Sequence, residues 1–86
     1  VIGGICGTSW DTDFPMTADG ENTWVSEALD LNAGEELKVR QGASWDVNFG
    51  VNGEPGGANI VVEATGKYKV KLVYDGTTAS VELIAQ

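Results

Sequence analysis

Two alternating runs joined by Asp75-Gly76 constrain this chain more than any other feature. In the first, Tyr68, Val70, Leu72 and Tyr74 alternate with Lys67, Lys69 and Lys71; in the second, Ala79, Val81, Leu83 and Ala85 alternate with Ser80, Glu82 and Ile84. Successive side chains of a strand point to opposite faces, so a period of two is the mark of a strand with one buried face. Asp-Gly between two such runs is the turn chemistry of a hairpin.

The rest of the chain reads as shorter strands. Residues 1–6 form an apolar run and 23–31 carry Trp24, Val25, Leu29 and Leu31; Asn32-Ala33-Gly34 then makes a turn. Over 36–41, Leu37 and Val39 point inward and Lys38 and Arg40 outward. Residues 59–63 are a β-branched run, and a weak strand is expected over 14–17. No segment is long enough for a helix before Gly34 interrupts it. Strands at this spacing, each closed by turn residues, predict an all-β antiparallel β-sandwich of about seven to eight short strands. Two stretches resist strand assignment, 7–15 and the glycine-rich 42–57.

At 86 residues the chain is one domain, 1–86. A domain this small has little core to spare, which favours a shallow surface site over a deep pocket. Its opening directly in an apolar strand reads as a fragment of a larger multi-domain protein. The net charge of −8 argues against nucleic acid or an anionic membrane, since phosphate binding rests on clustered Lys and Arg. No apolar run approaches the ~20 residues of a membrane span. A neutral polymer such as polysaccharide suits the charge balance. The single cysteine, Cys6, reads as a small buried hydrophobe.

With no histidine, no Ser-His-Asp, Cys-His or His-based metal site can be built. Asp11, Asp13 and Asp46 do not have the EF-hand spacing of a calcium loop, and a carboxylate pair can be picked from any acidic chain. The expectation is a non-enzyme with no cofactor and no metal.

Three tryptophans remain to be placed. Trp24 begins an alternating strand and reads as core, as do Tyr68 and Tyr74; Phe49 is expected to pack under its loop. Trp10 and Trp45 fall in the two unassigned stretches, between Ser9 and Asp11 and between Ser44 and Asp46. Large aromatics in loops either plug back onto the core or meet a ligand.

The opening Val1-Ile2-Gly3-Gly4 with Trp10-Asp11 and Pro15-Met16 resembles the start of the starch-binding domains of the SusE and SusF lipoproteins. The stretch Ser44-Trp45-Asp46-Val47-Asn48-Phe49-Gly50-Val51-Asn52-Gly53, followed by Gly57-Ala58-Asn59-Ile60, is similar to the X25 modules that accompany pullulanases and amylases. The resemblance covers nearly the whole chain, and this central pattern is its most specific part. It implies an immunoglobulin-like β-sandwich that binds starch, amylopectin or maltooligosaccharides and performs no chemistry. It also implies an extracellular or cell-surface place, as a monomeric module of a larger secreted bacterial protein. In such domains two aromatics form a curved platform, and a nearby cation with Asn or Asp bonds sugar hydroxyls. Carried onto this chain, Trp10 and Trp45 are the platform, Arg40 or Lys38 the cation, and Asn48, Asp46 and Asn52 the further polar contacts.

These residue types suit a sugar. A pyranose has an apolar face of C–H groups and a rim of hydroxyls; an indole offers a flat, rigid face that is ordered at little entropic cost. Arginine presents donors in a fixed fork. Two alternatives share the fold: a structural immunoglobulin-like spacer with its tryptophans buried, and a protein-docking domain of a bacterial surface protein. The lysines Lys67, Lys69 and Lys71 read as a solvated strand face.

Overall fold

A computed structural model describes the chain over residues 1–41 and 44–86, with the side chains of Ser44, Asp46 and Asn52 outside the description. Nine strands form two antiparallel sheets, and no α-helix occurs among the described residues. In the first sheet β5 (Glu36–Gln41) is central. It pairs with β1 (Ile2–Gly3), β6 (Ser44–Phe49) and β7 (Ile60–Val61). In the second sheet β8 (Gly66–Tyr74) is central. It pairs with β3 (Thr23–Ser26), β4 (Leu29–Leu31) and β9 (Ala79–Ala85), and β2 (Met16–Ala18) extends the sheet beyond β3.

The hairpin read from the sequence is β8–β9, in register from Tyr68↔Ala85 to Tyr74↔Ala79. Its turn is closed by Asp75, whose Oδ1 accepts from the amides of Thr78 (2.7 Å) and Thr77 (2.8 Å). Those bonds, Thr78 first, hold the Asp75 carboxyl below its ordinary pKa. Val70 and Leu72 of β8 meet Leu37, Val39 and Phe49 of the first sheet in one buried cluster with Val1, Ile5, Leu29, Leu31 and Val62. Tyr68, Tyr74, Val81 and Leu83 pack half-buried against it. Lys67 reaches Asp30 at 3.8 Å across the directly opposed β8 and β4 positions.

The single strand expected over 23–31 is two strands. Val25 opposes Lys71 but Leu29 opposes Tyr68, so the register slips by one across the interval. The slip leaves the Val70 amide without a ladder carbonyl. The buried hydroxyl of Ser26 accepts from it at 2.9 Å and donates to the Glu27 carbonyl at 2.8 Å. A polar side chain thus satisfies a backbone donor that the bulge would otherwise orphan.

Three other expectations are corrected. The strand over 1–6 is confined to Ile2–Gly3, because the chain turns at Cys6 with φ +51. Cys6 is consequently exposed, and its thiol donates to the Asp30 carbonyl at 3.4 Å. The stretch 42–57 is not all loop: residues 44–49 are β6, followed by a short 3-10 turn, Val51–Gly53. Alternation fails there because a bulge interrupts the pairing.

Candidate functional site

Ile2 and Lys38 are directly opposed and therefore share a face of the first sheet. That face is opposite to Leu37 and Val39, so alternation would leave it wet. Both residues are nonetheless buried, Ile2 at 0% and Lys38 at 9% exposure, and Ile2 lies outside the main core cluster. A second, smaller packed layer therefore sits on the outer face of this sheet, with Trp45 beside Lys38 and Trp10 beside Trp45.

Trp45 arrives there by a bulge. Arg40 opposes Asn48, yet the next residue, Gln41, opposes Ser44, so Trp45, Asp46 and Val47 bulge out of the ladder. Bulges re-aim side chains. Here the indole turns across the outward face of β5, with the Arg40 guanidinium carbon 4.8 Å and the Lys38 Nζ 5.7 Å from the ring centroid. The Asn48 side-chain amide donates to the Trp45 carbonyl at 2.8 Å and ties the bulge together, while its Oδ1 is buried with no hydrogen-bond partner.

Trp10 arrives by a returning loop. The Val1 nitrogen donates to the Phe14 carbonyl, the Phe14 amide to the Val1 carbonyl, and the Trp10 amide to the Gly3 carbonyl. The Thr8 hydroxyl caps the turn on the Ile5 carbonyl at 2.7 Å. Trp10 itself has φ +61, a genuine outlier for a bulky side chain. Strained backbone of this kind gathers at sites where a side chain is held for a task. Its ring lies 6.0 Å from that of Trp45 at 41°, and Trp45 keeps 47% of its surface exposed.

The Arg40 guanidinium is not a free fork. Its Nε and Nη2 donate to the two carboxylate oxygens of Asp13, at 2.8 and 2.7 Å, and its side chain is 12% exposed. The hydrogen bonds from Arg40 pull the Asp13 carboxyl below its ordinary pKa, and the same bonds raise that of the guanidinium. Asp13 and Arg40 also line a cleft of about 650 Å³ bordered by Phe14, Met16, Trp24 and Tyr74. Trp24 is therefore half-buried, at the margin of the core rather than within it.

Of the residues singled out in the sequence, Trp10, Trp45, Arg40, Lys38 and Asn48 converge on this one face. The side chains of Asp46 and Asn52 lie outside the described residues. Asp13, weighed in the sequence only as a metal or catalytic acid, belongs to the cluster. No spacing rule finds it, because 27 residues separate it from Arg40. No group of metal-ligating side chains occurs among the described residues.

No protein-family model matches the chain, and no solved structure matches it. Two curated proteins are similar in part. The amylopullulanase of Thermoanaerobacterium thermosulfurigenes is 31% identical over 67 residues, 77% of this chain and 4% of that protein. The amylopullulanase of Thermoanaerobacter thermohydrosulfuricus is 39% identical over 46 residues, 54% of this chain and 3% of that protein. The chain thus spans a very small share of the enzymes it matches, and its similarity is to a piece of a carbohydrate-active enzyme.

Proposed function

We propose that this domain is a non-catalytic carbohydrate-binding module that grips starch-like α-1,4-glucan on the Trp10–Trp45 pair, within a larger secreted bacterial protein. The observation that carries the reading is the exposed Trp45 ring set against Trp10 at 41°. Two adjacent rings tilted to one another make a bent apolar surface, which fits a glucan chain that curves better than one that lies flat. A spacer has no use for a half-exposed indole raised out of the ladder by a bulge. Both partial relatives are amylopullulanases, which fits the same ligand class.

The division of labour differs from the one the sequence implied. Trp45 and Trp10 offer the stacking surface. Lys38 and Arg40 serve mainly as its floor, with Arg40 left only the donors that Asp13 does not take. A shallow site with few free donors binds weakly, in the micromolar-to-millimolar range, roughly −4 to −8 kcal/mol. Firm adherence then depends on several modules in one polypeptide.

Affinity electrophoresis tests the reading. The domain is expected to be retarded in gels containing amylopectin, and titration is expected to give heat with maltoheptaose but not with cellohexaose. Migration unchanged by amylopectin, at a load that holds back a known starch binder, would overturn it.

A further inference from the structure

We propose that Asp13 is a positioning residue of the platform: its two-point pair with Arg40 holds the guanidinium against the Trp45 ring and so sets the angle between the two indoles. The proposal rests on the glucan reading for its consequence, though not for its geometry. An arginine side chain has many rotamers, and a free one would not stay parked on an aromatic ring. Asp13 removes that freedom with two bonds in the planar arrangement that a carboxylate and a guanidinium share. The loop that supplies Asp13 also supplies Trp10, and the strand that supplies Arg40 lies under Trp45. One ion pair therefore ties the two halves of the platform together.

The pair is acid-sensitive in one direction. The charged groups around it are Arg40, with Lys38 under Trp45, Asp11 nearby in the loop and Asp75 on the shared cleft. Arg40 lowers the Asp13 pKa from 3.8, so the folded-state value lies below the unfolded one. The clasp is then fully present above about pH 4 and opens as pH falls through the lowered value.

Two coupled indoles give a circular-dichroism couplet that needs no ligand, and the variant Trp45→Phe identifies it. Asp13→Asn is expected to shrink that couplet at neutral pH and weaken maltoheptaose binding by up to about five-fold, the upper end for a solvent-accessible ion pair. In the unaltered domain, couplet and affinity are expected to fall together as pH drops through the lowered Asp13 value, and the Asn variant should lack that step. Arg40→Lys keeps the charge but not the fork, and it should reproduce the loss from the other partner; a folding defect in one variant leaves the other as the test. An Asp13→Asn domain with an unchanged couplet overturns the proposal, whether its affinity is kept or lost, since a loss would then mean that Asp13 touches sugar directly. A couplet that depends on Asp13 in a domain that amylopectin does not retard leaves the positioning role standing and removes the glucan reading. Unaltered binding by Asp13→Asn, couplet and pH profile included, does the reverse.

Discussion

Trp45→Ala is expected to abolish retardation in amylopectin while the domain unfolds at nearly its original denaturant concentration. Covering one indole face with a sugar contributes on the order of 1–3 kcal/mol, which is about five- to 150-fold in affinity. An interaction in the weak half of the micromolar-to-millimolar range disappears from a gel assay after a loss of that size. Stability should respond differently. Trp45 is 47% exposed and stands on a bulge outside the main core cluster. Its removal should therefore fall well short of the roughly 3–5 kcal/mol that a buried tryptophan loses on truncation. Glucan titration and urea denaturation on the same preparation separate the two effects. If the variant is grossly destabilised, Trp45 is a plug that closes the outer layer over Lys38 and Ile2, and the stacking role falls with it.

The parts of the fold legible in the sequence were those where one physical rule acts alone. The β8–β9 hairpin is such a case, since a period of two and an Asp-Gly turn agree over the whole of both strands. The division between β3 and β4 was not legible. Thr23 to Leu31 looks continuous, and the slip at Ser26 is stabilised by a hydroxyl bonding Val70, a residue 44 positions away. The same limit hid the strand character of β6. Its bulge puts Trp45 on the face that strict alternation assigns to Asn48 and Asp46, so no period survives to be read.

The site shows the same division. Indoles flanked by polar residues marked Trp10 and Trp45, and outward positions two apart on β5 marked Lys38 and Arg40. What those cations do was not legible, because it depends on partners far along the chain. Arg40 reads as a fork aimed at hydroxyls until Asp13 is seen to occupy it, and Asn48 reads as a ligand contact until its amide is seen on the Trp45 carbonyl. Asp13 and the Trp45 carbonyl each take donors that the sequence left free.

The most specific stretch of the sequence, from Trp45 through Gly50 to Ile60, also combines two different demands, and Gly50→Ala separates them. A Cβ built on Gly50 would stand 2.1 Å from the Ala58 carbonyl oxygen and 2.7 Å from the Gly57 carbonyl group. Both are backbone, so no side chain can swing aside. The two segments are also stitched together there, with the Val51 amide donating to the Ala58 carbonyl at 2.9 Å and the Gly50 amide to the Glu54 carbonyl at 3.0 Å. Relief requires moving Gly50 away from that carbonyl, and with it the buried Phe49 next door, which packs on Tyr74 with ring centroids 4.8 Å apart. A loss above about 4 kcal/mol is expected, in the range reserved for named structural failures. For a domain of this size, near the low end of the usual 5–15 kcal/mol, that leaves much of the population unfolded at room temperature. Gly76→Ala provides the contrast. Gly76 has φ +95 but nothing within 4 Å of the added Cβ, so only backbone conformation opposes the change, about 1–2 kcal/mol. Urea midpoints should therefore order as unaltered domain, Gly76→Ala, then Gly50→Ala. A Gly50→Ala midpoint at or above that of Gly76→Ala would mean that the crossing is loose. With the expected order, the glycines of this stretch are the scaffold that holds β6 and the bulge carrying Trp45 in place.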